Sequence, residues 1–173
     1  MLDKFGTLDE KLIKIYLKQI LFGISYLHEK GIVHRDLKCA NILVDLKGNI
    51  KLSDFGCSGQ LSNSNYADSE ILNSLKGTIP FMAPEVICQN KYGRKADIWS
   101  IGCTALEMAT GKLPWGHFDN YFQAMYKIGK SNDIPEVPMK ISSSFKSFLL
   151  NCFKRNYKER PGIKELLSHE FIN

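Results

Sequence analysis

Residues 34–41 read His34-Arg35-Asp36-Leu37-Lys38-Cys39-Ala40-Asn41, and Asp54-Phe55-Gly56 follows a short way downstream. Between these two charged stretches lie the apolar runs Ile42-Leu43-Val44 and Ile50-Lys51-Leu52, joined by Asp45-Leu46-Lys47-Gly48-Asn49. Two short apolar runs around a turn rich in Asp, Gly and Asn predict a small β-hairpin. Upstream, Leu12, Ile13, Tyr16, Ile20, Ile24 and Leu27 recur at three- and four-residue steps. That spacing predicts an amphipathic helix from Asp9 to Lys30, closed by Gly31. Downstream, residues 57–76 are polar, with Ser58, Ser62, Asn63, Ser64, Asn65, Ser69, Asn73 and Ser74. A stretch of that length without a pattern, inside a compact domain, is usually functional or mobile. Helical periodicity returns near 95–110, 120–130, 142–155 and 162–172, the last opened by Pro161. The expected fold class is mainly α, a helical bundle carrying one small β-hairpin. No internal repeat is found.

Composition narrows the setting. The chain has 173 residues, 44% hydrophobic and 24% charged, which suits a single globular domain and excludes a disordered or low-complexity chain. No apolar run approaches the roughly 18 residues of a membrane helix. The opening residues, Met1-Leu2-Asp3-Lys4-Phe5, are charged at once and do not resemble a secretory signal. The net charge is +5, gathered toward the C-terminus without forming a block, so a solvated helical surface is favoured over a nucleic-acid patch. Cys39, Cys57, Cys88, Cys103 and Cys152 are odd in number and widely spaced, with no C-x-x-C pair. They indicate neither a zinc ribbon nor a disulfide framework, and reduced thiols suit a cytoplasmic or nuclear protein.

The chemistry is concentrated in the stretch quoted first. Residues 34–41 match H-R-D-L-K-x-x-N, a pattern whose chance occurrence in a chain of this size is about three in a million on equal residue usage. Asp54-Phe55-Gly56, Ala83-Pro84-Glu85, Asp97-Ile98-Trp99-Ser100-Ile101-Gly102 and Arg160 follow in order. In that order the chain resembles the eukaryotic protein kinases from about residue 1 to the end. The resemblance implies a partial kinase domain over residues 1–173, the helical C-terminal lobe, with a catalytic loop at 34–41 and an activation segment at 54–85. It also implies ATP and Mg²⁺ as cofactors. Lys38 and the pair Gly77-Thr78 resemble the serine/threonine kinases. Gly77-Thr78-Ile79-Pro80-Phe81-Met82-Ala83-Pro84-Glu85-Val86, Leu2-Asp3-Lys4-Phe5-Gly6 and Ile24-Ser25-Tyr26-Leu27-His28 resemble the MAP kinase kinase kinase branch. On that branch the protein substrate is another kinase.

By that resemblance Asp36 accepts the hydrogen bond, and finally the proton, of the attacking hydroxyl. Asn41 and Asp54 hold magnesium, Lys38 offsets charge on the transferred phosphate, and the Thr78 hydroxyl bridges Asp36 and Lys38. Each residue alone has a plainer reading, since an isolated Asp is usually a cap or turn residue and an isolated Lys is usually solvated. Together at this spacing the plainer readings lose. For regulation, the resemblance pairs Arg35 with a phosphate on Ser74, with Ser69 and Thr78 as competing sites. It makes Glu85 and Arg160 a buried ion pair, has Asp97 hydrogen-bond the loop backbone near His34 and Arg35, and leaves Trp99 and Trp115 to packing.

This sequence also departs from the family. It contains no G-x-G-x-x-G loop and no V-A-I-K strand, so the N-terminal β lobe is absent from these 173 residues. The expectation is weak ATP binding and negligible activity for this chain alone, which would need the missing upper lobe or an upstream activator. The alternative is a catalytically incompetent kinase-lobe fragment acting as a protein-binding module. A helical nucleic-acid binder is the remote third reading.

Overall fold

The computed structural model describes residues 6–61, 77–89 and 93–173. Helix α1 spans Glu10–Glu29, and Asp9 caps it by accepting the Leu12 amide at 2.8 Å. A side-chain oxygen at this position satisfies one of the amides that a helix start leaves without a partner. Strand β1 (Ile32–Val33) follows the turn at Gly31. The expected hairpin forms between β2 (Ile42–Val44) and β3 (Ile50–Leu52), antiparallel, with Leu43 opposite Lys51. Its turn is held by Asp45 Oδ1, which accepts the Lys47 and Asn49 amides, each at 2.8 Å. Strand β4 (Gly59–Gln60) pairs antiparallel with β1. Periodicity could not reveal this second sheet, because strands of two residues carry no pattern.

Five further helices complete the described fold: α2 (Pro84–Gln89), α3 (Arg94–Thr110), α4 (Tyr121–Lys130), α5 (Ser143–Cys152) and α6 (Ile163–Leu167). Helix α2 was not foreseen, since its six residues are too short for a periodic signal. The helix expected over 162–172 stops at Leu167 and gives way to turns closed by bonds from the His169 amide to Leu166 O and from the Ile172 amide to His169 O. Phe171 keeps its apolar contact from this turn, stacking on Phe145 with ring centroids 4.5 Å apart.

Helix α3 runs through the centre and is buried nearly all round, from Ala96 to Met108. Helix α1 lays Ile13, Leu17, Ile20, Leu21 and Ile24 against it, each fully buried. Trp99 is enclosed by Trp115, by the edge of Phe153 and by the Arg160 guanidinium, 5.1 Å from its ring centre. Helices α3 and α5 approach so closely at Gly102 that a Cβ there would stand 2.6 Å from Cys152 Cβ and 2.8 Å from Phe153 Cε1. Ala gains about 0.5–1 kcal/mol over Gly in a helix, whereas overpacking a core costs about 1–3 kcal/mol. Gly102→Ala is therefore expected to lower the urea midpoint, despite the better helix former. An unchanged or raised midpoint would show that the two helices can separate at no cost.

Candidate active site

The loop of residues 34–41 is pinned first by a buried carboxylate. Asp97, in the first turn of α3, accepts the His34 amide on Oδ2 and the Arg35 amide on Oδ1, both at 3.0 Å. His28 Nε2 lies 2.8 Å from Asp97 Oδ2 and must be the donor, because an ionised carboxylate only accepts. Burial opposes the charge on Asp97, but His28 and the two amides outweigh it and hold the carboxyl below its usual range. Arg35 is buried and takes a left-handed backbone conformation, φ 70°. Such strain in a non-glycine residue persists only where neighbours impose it, and here Asp97 does.

Asp36 is the centre of the site. Its Oδ1 accepts the Thr78 amide at 2.9 Å and the Thr78 hydroxyl at 2.7 Å. Its Oδ2 accepts Lys38 Nζ at 2.9 Å and Asn41 Nδ2 at 3.0 Å. Lys38 Nζ also donates to Thr78 Oγ1 at 2.6 Å, so Thr78 stands between Asp36 and Lys38. Burial opposes the Asp36 charge, yet Lys38 and Thr78 prevail and keep its carboxyl below the usual range. Thr78 reaches Asp36 because Gly77 brings its own backbone against the loop. At φ +115°, a Cβ on Gly77 would stand 2.6 Å from Arg35 O. Only glycine fits that approach without strain.

Asn41 donates to Asp36 O at 2.8 Å as well as to Oδ2, which commits its amide nitrogen to Asp36 and turns its oxygen away. Asp54 is exposed and also left-handed, φ 61°, with Oδ1 accepting the Gly56 amide at 3.3 Å. It makes no hydrogen bond to the Asp36 cluster. Its predecessor Ser53 ties it to the loop, donating to Asn41 O from the backbone at 2.9 Å and from the hydroxyl at 3.0 Å. Phe55 places its ring 5.1 Å from that of His34. Thus Asp36, Lys38, Asn41 and Thr78 form one hydrogen-bonded cluster with Asp54 adjoining. Ser74 and Ser69 lie outside the described residues.

The end of the segment is fixed by a bidentate pair, Arg160 Nη1 to Glu85 Oε1 at 2.7 Å and Nη2 to Oε2 at 2.6 Å. Arg160 also donates to the carbonyls of Lys95 and Lys154. Three supports were not foreseen. His28 props Asp97, Ser100 Oγ donates to Phe81 O at 2.8 Å, and Glu107 accepts the Cys39 amide at 3.0 Å. Their only sequence signal is polar side chains on an otherwise apolar face, which does not say what they hold.

The protein kinase domain matches residues 1–172. Mitogen-activated protein kinase kinase kinase A of Dictyostelium discoideum is 49% identical over 172 residues, covering 99% of this chain and 18% of its own length. Serine/threonine-protein kinase STE11 of Saccharomyces cerevisiae is 45% identical over the whole chain and 24% of its own length. The human mitogen-activated protein kinase kinase kinase 4 is 46% identical over 95% of this chain and 10% of its own length. The chain therefore spans a quarter or less of each of these relatives. With its match to the family across residues 1–172, this chain belongs to the protein kinase family, and it is similar to the MAP kinase kinase kinases and to a serine/threonine-protein kinase.

Proposed function

We propose that the chain carries the phosphate and metal end of an active site that transfers the γ-phosphoryl group of ATP to a serine or threonine of a protein, which on this branch is another kinase. The observation that carries the reading is the fourfold hold on the Asp36 carboxylate. Phosphoryl transfer leaves little covalent work for a protein, so catalysis is mostly positioning and electrostatic stabilisation. Asp36, fixed on both oxygens and ionised, orients the incoming hydroxyl and accepts its proton at an oxygen that one of its four present donors gives up, since together they fill its lone-pair sites. Lys38 faces the same place and offsets negative charge on the transferred group. The exposed Asp54 carboxylate and the Asn41 amide oxygen, whose nitrogen is committed to Asp36, are hard donors that suit Mg²⁺, which is usually held by one or two carboxylates plus phosphates and water. Mg²⁺ bound with ATP supplies charge neutralisation at the phosphates. Arg35 is the residue that would capture a phosphate on Ser74, adding about −1.5 to −2 charge that orders the activation segment.

In this reading residues 1–173 are the C-terminal-lobe portion of a kinase domain, with catalytic loop 34–41 and activation segment 54–85, acting in the cytoplasm on a protein rather than on nucleic acid or a membrane. Among the described residues no helix is long and apolar enough to cross a membrane. An intact Asp36 cluster favours this reading over a binding module, which needs none of it. The test uses the purified chain alone and fused behind the glycine-rich-loop lobe of one of the relatives. The chain alone is expected to bind ATP weakly and to phosphorylate a generic protein negligibly. The fused protein is expected to transfer phosphate to serine or threonine. Robust transfer by the chain alone overturns the first expectation. A folded, ATP-binding fusion without transfer overturns the function.

A further inference from the structure

The catalytic loop contains a short 3₁₀ turn, Cys39–Asn41, entered through Lys38 in extended conformation, φ −163° and ψ 162°. A helical start leaves its first amides without internal partners, and the residue at the entry normally supplies an oxygen. Lys38 cannot: its side chain has no acceptor, and its ammonium is committed to Asp36 and Thr78. The Cys39 amide is satisfied instead from another element, by Glu107 Oε2 at 3.0 Å. The Cys39 thiol points the same way, with Sγ 3.7 Å from Thr104 O.

Asp97, Ser100, Thr104 and Glu107 fall at helical spacing and share one face of α3. Asp97 takes the amides just before Asp36, and Glu107 takes the amide just after Lys38. The two side chains that face the reacting groups are therefore clamped between two carboxylates of one rigid helix. The hydrogen bond from a neutral amide to an ionised carboxylate is among the stronger kinds. Glu107 is only part-buried.

We propose that Glu107 is a positioning residue, which holds the backbone at Cys39 and thereby the reach of Lys38 toward the transferred phosphate. It touches no reacting atom and acts only through the Cys39 amide. Without that acceptor, the turn start competes for water and Lys38 samples more than one position. A misplacement of about 1 Å at a reacting group can cost as much as 10²-fold in rate.

The test has two arms, because the kinetic arm rests on the kinase reading and the other does not. In the first, amide-resolved hydrogen exchange on residues 1–173 compares wild type, Glu107→Ala and Glu107→Gln. Exchange at Cys39 is expected to rise at least about tenfold in the Ala variant and to stay near wild type in Gln, which keeps an acceptor oxygen. In the second, the catalytically competent fusion is assayed. The Ala variant is expected to lose about 10- to 100-fold in kcat, with KM for ATP within about twofold, and the Gln variant to recover most of it. Unchanged exchange at Cys39 in Glu107→Ala overturns the brace. An unchanged kcat, or equal losses in Ala and Gln with a matching fall in melting temperature, overturns the positioning role. A folded, ATP-binding fusion without any transfer refutes the kinase reading and leaves the exchange arm to decide the brace.

Discussion

Asp36→Asn, in the catalytically competent fusion, is expected to lower kcat by about 10²–10⁴-fold, the range that a positioned proton acceptor contributes. KM for ATP should change little, because Asp36 addresses the incoming hydroxyl. The substitution is close to isosteric, so the Thr78 amide and hydroxyl can still find an oxygen where Oδ1 stood. Lys38 and Asn41 donate to Oδ2, and an amide nitrogen at that position would face two donors. The cluster should therefore loosen at Lys38 as well as lose its proton acceptor. A kcat within about threefold of wild type would remove Asp36 from the chemistry and return it to the status of a loop-organising carboxylate.

Glu85→Ala is expected to destabilise the fold by about 3–5 kcal/mol, the typical cost of leaving one member of a buried ion pair uncompensated. Arg160 is 1% exposed, and its remaining partners are backbone carbonyls and the face of Trp99. Those dipoles solvate a guanidinium poorly compared with a bidentate carboxylate. The double variant Glu85→Leu with Arg160→Met should be less damaging than either single change, since both charges then leave the interior. Urea denaturation of all variants gives the coupling directly. Single changes costing under about 1 kcal/mol would show that the segment end is held by packing alone. Because α2 begins at Pro84, loss of the pair should also free the segment that presents Thr78 to Asp36.

Much of the site was legible because it is local. Asp36, Lys38 and Asn41 lie within one loop, and spacing alone brings them within reach of each other. The hairpin at 42–44 and 50–52 was equally legible, since its turn carries its own hydrogen bonds through Asp45. The long helices α1, α3, α4 and α5 declared themselves through periodicity, and the structure adds the caps at Asp9, Asn120 and Ser142. Helix α2, the β1–β4 pair and the early end of α6 did not, because each is shorter than the window in which a period can be recognised.

The sequence by itself determined the chemistry on offer: one carboxylate, one ammonium and one amide in a fixed local order, followed by a second carboxylate beyond a hairpin. The tertiary structure decided which oxygen each donor takes. Asp36 is gripped on Oδ1 by Thr78, more than forty positions away, and on Oδ2 by its own loop. It also added to the hold on the loop: Asp97, which the family resemblance had already placed against the backbone near His34 and Arg35, is joined by Glu107 on the same face of a buried helix. The physical reason is that hydrogen-bond satisfaction is a global requirement. A loop without a capping residue of its own must find its acceptors wherever the packed core supplies them. No local pattern announces in advance which distant carboxylate that will be.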